Sequence, residues 1–195
     1  MIEVKYFGTS ELWTLALLLG IGVSLEVKAF VKISKAHFNP VVTLGFLISE
    51  HMPPIQLVLY LSAQAIGAFA ASLIIKYMIG TYASLGTNIP DYASYPILLV
   101  FVVEIMVTAF LMATIFTSVH TKGSKGLGWI ASRAIVGLDI FLFSYISGAV
   151  INPIRFLAPE TLSGDISNIW LYWIATFIGA TIVAFIYKNK FLKYY

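Results

Sequence analysis

Apolar residues fall into five long segments and two short ones, separated by polar connections. The long segments cover residues 11–33, 54–79, 93–118, 127–149 and 167–188. Each has about the 20 residues that an α-helix needs to cross a bilayer. The short segments, 40–49 and 153–159, would span only about half of the hydrocarbon thickness at roughly 1.5 Å per residue. The pattern predicts an all-α membrane protein with five transmembrane helices and two half-helices.

Each short segment begins with the same dipeptide. Asn39-Pro40 and Asn152-Pro153 both close an S-x-A-x-x-N-P motif that follows a long apolar span. Asparagine is a favourable helix N-cap, and proline is favourable at the first helical position. Two copies at equivalent places indicate internal repeats, whose junction near the bilayer midplane is where sites of such proteins lie.

We interpret residues 1–195 as a single transmembrane channel domain that contains two repeats. We expect a first, incomplete repeat over residues 1–79, a connecting loop over 80–92 and a second repeat over 93–195. Composition supports a membrane protein, since 59% of the residues are hydrophobic and 11% are charged, against about 25% charged in soluble domains.

Composition and motifs also exclude several classes of function. The chain has no cysteine, so it has no disulfide framework and no thiolate metal site. A net charge of +3 is too small to indicate nucleic-acid binding. The sequence contains no acid pair, no nucleophile–base set and no phosphate-binding loop. We therefore expect no catalytic residues, no metal and no cofactor.

Lysine placement predicts the orientation in the membrane. If the five spans alternate, eight lysines fall on one side: Lys28, Lys32, Lys35, Lys122, Lys125, Lys188, Lys190 and Lys193. Only Lys5 and Lys76 lie toward the other side. The positive-inside rule then places the C-terminus in the cytoplasm, for a multi-pass protein that we expect in the plasma membrane.

The two half-helices predict a polar path between them. Their N-termini would meet at the midplane, each with unpaired N–H groups and a partial positive charge. The amides of Asn39 and Asn152 would add donors there. Such a path orients passing water and repels cations and protons. The pattern indicates a narrow pore for uncharged solutes; the alternative is two helix caps packed in a dry core.

Four segments resemble the aquaporin (major intrinsic protein) superfamily. They are HFNPVVTLG at 37–45, AQAIGA at 63–68, EIMVT at 104–108 and SGAVINPIR at 147–155. The resemblance implies a bundle of two inverted repeats that passively conducts water and small neutral solutes such as glycerol or ammonia. It also implies a homotetramer in the lipid bilayer.

The resemblance assigns the pore residues. The two Asn-Pro-Ala signatures of the family stand here as Asn39-Pro40-Val41 and Asn152-Pro153-Ile154. The resemblance places the selectivity filter at Leu19, Ile140, Ala149 and Arg155. The first three would form apolar walls, and Arg155 would supply one charge. An isoleucine at the second of these positions is similar to archaeal members. This filter is expected to be wider than a strict water filter.

The resemblance also implies supporting residues. Glu104 matches a buried glutamate that accepts hydrogen bonds from loop backbone, with a proton relay as the alternative, and Gln64 is expected to support the first loop. His37 is expected either to line the pore or to pack within the loop. The charged residues Arg133 and Asp139 in the fourth span have no counterpart in the resemblance.

One helix of the family has no counterpart here. The segment before Asn39 is too short to contain an equivalent of Glu104, so the resemblance implies that the family's first helix is absent from this sequence. Two other functions stay open on this account. A proton-coupled secondary transporter would also use broken helices, and a truncated member could be a non-conducting assembly partner.

Overall fold

The computed structural model describes residues 9–80, 85–87, 90–120 and 128–191, and these form seven α-helices and no strand. The helices are α1 Thr9–Ser34, α2 Pro40–Ile48, α3 Pro54–Ile79, α4 Ile97–His120, α5 Gly128–Ser147, α6 Pro153–Ser163 and α7 Ile169–Phe191. Three stretches are long and apolar enough to cross a membrane: Pro54–Met78, Ile97–Ser118 and Ile169–Asn189. The helices α1 and α5, with 26 and 20 residues, match these in length.

The predicted order of five long and two short helices is confirmed. One boundary differs, because α6 does not end at Pro159 but continues to Ser163. Proline removes one hydrogen bond of the helix ladder, yet the following turn is closed by Gly164. This glycine has φ 91°, and its N–H donates to the carbonyl oxygen of Glu160. A left-handed glycine is a favourable helix end, so the helix stops there.

Each short helix packs against the last helix of the other half of the chain. The helix α2 lies along α7, and α6 lies along α3. The helix α4 packs against both α5 and α7, and α5 also packs against α1. At Gly179 of α7, an added Cβ would collide with the carbonyl oxygen of Ile105 in α4. Glycine therefore allows the closest crossing of these two long helices.

Buried apolar side chains lie beneath both short helices. Val41 and Phe46 of α2 belong to a cluster that includes Met112, Phe116 and Ile140. A second cluster beneath α6 contains Val100, Val150, Phe156, Leu171 and Tyr172. The two short helices are thus held in the protein interior by burial of their apolar faces.

The helix α3 has the most open environment. Its only extended contacts within the described part of the chain are with the two short helices, and no residue of its most apolar window is buried. Ile55, Val58 and Ile66 are more than half exposed. Apolar residues at such positions match hydrocarbon rather than water, as expected for a helix that faces lipid.

Candidate functional site

The two Asn-Pro motifs form the N-terminal caps of the short helices. Asn39 has extended backbone angles, and its Oδ1 accepts a hydrogen bond of 3.1 Å from the N–H of Val41. Asn152 caps α6 in the same way, with its Oδ1 3.2 Å from the nitrogen of Ile154 and 3.4 Å from that of Arg155. Each asparagine oxygen thereby satisfies N–H groups that a helix start leaves unpaired.

The amide nitrogens of the two asparagines bond across the junction. Asn39 Nδ2 donates to the carbonyl oxygen of Ile151 at 3.0 Å, and Asn152 Nδ2 donates to that of Phe38 at 2.9 Å. Each carbonyl acceptor directly precedes the other asparagine in the chain. These reciprocal bonds hold the two helix N-termini together. Since an amide nitrogen has two hydrogens, each asparagine keeps a second N–H for another acceptor.

The loops before the two asparagines share an unusual backbone. Lys35 and Ala36 have φ of 52° and 54°, and the equivalent residues Gly148 and Ala149 have φ of 91° and 44°. Left-handed angles cost a non-glycine residue roughly 1–2 kcal/mol. Only one of the four positions is occupied by glycine, so the tertiary contacts of each loop must hold this conformation.

Glu104 of α4 holds the second loop. Its buried carboxylate accepts hydrogen bonds from the Ser147 hydroxyl at 2.7 Å, the Val150 N–H at 2.9 Å and the Ile151 N–H at 3.2 Å. Three donors therefore converge on one side chain from another helix. By accepting from the N–H of Ile151, the Glu104 carboxylate keeps the carbonyl oxygen of Ile151 directed toward Asn39.

Gln64 of α3 holds the first loop. Its Nε2 donates to the carbonyl oxygen of His37 at 2.6 Å and to the hydroxyl of Thr43 at 3.0 Å. The first loop is thus tied to α3, whereas the second is tied to α4. The two halves support equivalent loops with different side chains.

Two tyrosines that the sequence did not single out complete the support of the loops. Tyr60 donates its hydroxyl to the carbonyl oxygen of Ser34, and Tyr172 donates to that of Ser147, both at 2.6 Å. The two acceptors are the serines that open the S-x-A-x-x-N-P motifs. The separations of 26 and 25 residues are nearly equal. A search for residues repeated at a fixed distance from the motif would have found this pair.

His37 packs between aromatic rings. Its ring centroid lies 4.6 Å from that of Phe46 and 5.0 Å from that of Tyr60. The side chain is buried, and neither ring nitrogen has a hydrogen-bond partner within the described residues. Because an unpaired buried nitrogen costs free energy, a water-sized partner at this ring would be favourable.

The structure describes the surroundings of three of the four expected filter residues. Ile140 and Ala149 are buried in one apolar cluster. The Arg155 side chain donates from Nη1 to the carbonyl oxygen of Val150 at 3.3 Å, and this residue is exposed. A cation anchored to the loop and open on its other side can contact an acceptor outside the protein. The fourth residue, Leu19, lies in α1, but its side chain is outside the part that the structure describes.

The third residue of each motif is buried. Val41 has no exposed surface and Ile154 is 7% exposed. The backbone N–H of each still donates to the Oδ1 of the asparagine in its motif, so the capping bonds are intact. The side chains that are larger than the alanine of the family signature are thus buried, and the asparagine amides keep their bonds.

The charged residues of α5 are Arg133 and Asp139. Asp139 is buried, and its Oδ2 has no hydrogen-bond partner among the described residues. The side chain of Arg133 lies outside the described part of the structure. No described contact joins Asp139 to the loops or the asparagines.

Comparison with known proteins identifies relatives along nearly the whole chain. The profile of the major intrinsic protein family matches residues 2–187. The chain is 32% identical over 186 residues to aquaporin TIP2-3 of Arabidopsis thaliana, covering 92% of this chain and 71% of the relative. It is also 32% identical over 193 residues to probable aquaporin NIP4-2 of the same plant, covering 96% and 66%.

A solved structure has the same fold. The aquaglyceroporin from Plasmodium falciparum superposes with a TM-score of 0.76 at 22% identity, covering 94% of this chain and 84% of that one. The likeness includes the two short helices within a bundle of long ones, because it extends over nearly all of the chain.

Proposed function

The chain belongs to the major intrinsic protein family, and we propose on this basis that it passively conducts water and small neutral solutes across a membrane. It is an integral membrane channel and not an enzyme. The observation that carries the proposal is the pair of reciprocal bonds from Asn39 to the carbonyl oxygen of Ile151 and from Asn152 to that of Phe38, because they join the two helix N-termini.

Conduction follows from the donors at this junction. A passing water accepts from the remaining N–H of each asparagine, while the loop carbonyls offer acceptors along the path. The converging helix N-termini carry partial positive charge. Water is therefore oriented at the junction, and protons and cations meet an electrostatic barrier. Irregular backbone such as that of the two loops is tolerated at membrane depth where it lines a water-filled path.

Selectivity is assigned to Leu19, Ile140, Ala149 and Arg155. Arg155 is the only charged member; the residue is exposed, and its Nη1 donates to the carbonyl oxygen of Val150 in the second loop. It would donate to solute oxygen atoms and repel cations. The apolar members would face the carbon atoms of a solute such as glycerol. We propose passage of glycerol or ammonia in addition to water.

Orientation, location and assembly are further proposals. The lysine distribution supports a cytoplasmic C-terminus, and we propose the plasma membrane as the location. We also propose a homotetramer in the bilayer, and one domain whose repeats cover residues 1–79 and 93–195. Native mass spectrometry from detergent tests the assembly, and labelling of single cysteines placed in this cysteine-free chain tests the orientation.

Stopped-flow light scattering on proteoliposomes tests the function. Vesicles are shocked with an impermeant osmolyte and, separately, with glycerol. Rapid shrinkage with a low activation energy supports the pore, and rapid reswelling in glycerol supports the wide filter. Shrinkage at the rate of empty liposomes would contradict conduction and favour a non-conducting assembly partner. Solute uptake that requires a pH gradient would favour a proton-coupled transporter instead.

A further inference from the structure

We propose that Lys76 and Lys188 are positioning residues that hold the C-terminal ends of the two short helices, α6 and α2, and thereby fix the separation of the asparagines at their N-termini. The expected effect of these lysines on solute conduction rests on the proposed channel function. The geometry stands independently, on two contacts between opposite halves of the chain.

The first contact is at the C-terminal end of α6. Lys76, in the last turn of α3, donates from Nζ to the carbonyl oxygen of Leu162 at 2.9 Å. Leu162 is the second-last residue of α6, where helix carbonyl groups have no partner in the helix itself. A lysine at this position satisfies one of these groups and interacts favourably with the negative end of the helix.

The second contact is at the C-terminal end of α2. Lys188, near the end of α7, lies with its Nζ 2.7 Å from Oε1 of Glu50. Glu50 follows the C-cap Ser49, and its own N–H donates to the carbonyl oxygen of Leu47. The carboxylate is therefore attached to the end of α2 through a short, hydrogen-bonded turn.

The two contacts occupy equivalent places. Each lysine comes from the last long helix of one half and binds the end of the short helix of the other half. At their opposite ends the short helices are joined by the reciprocal asparagine bonds. Each short helix is thus tethered at both ends, and both tethers come from the other half of the chain.

Tethering matters because these helices are short. The helix α2 has nine residues and α6 has 11, and isolated helices below about 12–15 residues are marginal in water. Their axial position therefore depends on contacts with other parts of the chain, at their ends as well as along their packed faces. A displacement of the C-terminal end of either short helix would be transmitted along the rigid helix to the asparagine at its N-terminus.

The two tethers are expected to differ in strength. Lys76 is partly buried and bonds to an uncharged carbonyl group at a helix end. In the other tether the side chain of Lys188 is also partly buried, with 36% of its surface exposed, but that of Glu50 is 67% exposed. Exposed ion pairs contribute little to stability because water and salt screen them. Loss of Lys76 is therefore expected to disturb the junction more than loss of Lys188.

The Glu50 tether also has a defined pH range. The hydrogen bond and charge of Lys188 lower the pKa of Glu50 from its ordinary value. The contribution of the pair is thus present at neutral pH and above the usual pKa of glutamate, about 4.3. It is lost only as the pH falls through the lowered pKa.

The test compares Lys76→Met with Lys76→Arg in proteoliposomes, with Lys32→Met of α1 as the matched control. We expect Lys76→Met to change the ratio of water to glycerol permeability by about threefold or more. Lys76→Arg should retain the wild-type ratio, since arginine can donate to the same carbonyl. An unchanged ratio in Lys76→Met at normal thermal stability would overturn the proposal, and so would an equal change in Lys32→Met.

The other tether is tested by charge exchange. Lys188→Glu alone places two carboxylates together and should alter the permeability ratio. The double variant Glu50→Lys with Lys188→Glu should restore it, because the pair is re-formed in reverse. Failure of the double variant to recover any of the effect would count against a pairwise role.

A distance measurement separates this inference from the proposed function. Spin labels at Ser163→Cys and Ile182→Cys report the end of α6 relative to α7 in a chain without other cysteines. Lys76→Met should broaden their distance distribution, even if the wild-type protein conducts no solute. A distribution identical to that of the wild type would refute the tether while leaving conduction unaffected.

Discussion

Replacement of Glu104 by glutamine tests whether the second loop depends on one carboxylate. The native side chain accepts three hydrogen bonds, with Oε1 serving Ser147 and Val150 and Oε2 serving Ile151. Glutamine can present its oxygen to the first two donors. Its amide nitrogen then faces the N–H of Ile151, so two donors oppose each other and one buried N–H loses its acceptor.

The magnitude follows from these three contacts. Hydrogen bonds to charged groups contribute about 1.5–3 kcal/mol, and those to neutral groups about 0.5–1.5 kcal/mol. Two retained bonds would each weaken by about 1 kcal/mol, and the unpaired Ile151 N–H would cost about 1–3 kcal/mol. We therefore expect Glu104→Gln to destabilise the loop by about 3–5 kcal/mol. For a chain of this size, that lowers Tm by about 6–20 °C.

The assay combines thermal unfolding in detergent with water permeability of proteoliposomes at equal protein density. Glu104→Gln should lose both stability and permeability, because the carbonyl of Ile151 no longer holds Asn39 in place. Glu26→Gln on the exposed part of α1 is the matched control and should change neither. Wild-type stability and permeability in Glu104→Gln would refute the reasoning that this carboxylate positions the loop.

Four further substitutions test separate parts of the structure. Gly179→Ala should destabilise the protein by about 1–3 kcal/mol, because the added Cβ collides with the carbonyl oxygen of Ile105. Gly67→Ala, in open space on α3, should stabilise the protein by up to about 1 kcal/mol. Thermal unfolding in detergent compares the two variants. Tyr172→Phe should cost about 1 kcal/mol, because the carbonyl of Ser147 loses its donor, and equal stability would contradict this role. Lys35→Gly should stabilise by about 1 kcal/mol through relief of its left-handed backbone, and a lower Tm would count against strain at this loop.

The helices and their starts follow from local properties of the chain. Apolar segments of the required length predict the long helices because burial of apolar area in a bilayer depends on length and composition. Asn39-Pro40 and Asn152-Pro153 predict the starts of the short helices, since a cap acts on N–H groups only two or three residues away. The apolar pattern predicts that α6 ends at Pro159, which is wrong, because the helix continues through this proline to Ser163 and ends before the left-handed Gly164.

The contacts that assemble the site link residues distant in the chain. The asparagine bonds join residues 112 and 114 positions apart, and Lys76 reaches a carbonyl 86 positions away. No local pattern predicts such bonds, because they depend on how the two halves pack. The repeated motif indicated that the short helices would meet, but not that each asparagine would use one N–H to bind the opposite loop.

The membrane class, the order of the helices and the N-terminal caps of the two short helices are thus predictable from the chain alone. Hydropathy and capping act over a few residues, so they are readable along the chain. Which groups support each loop depends instead on how the folded helices pack. Gln64 and Glu104 are donor and acceptor from different helices, and their partners include backbone groups whose directions are set only after folding.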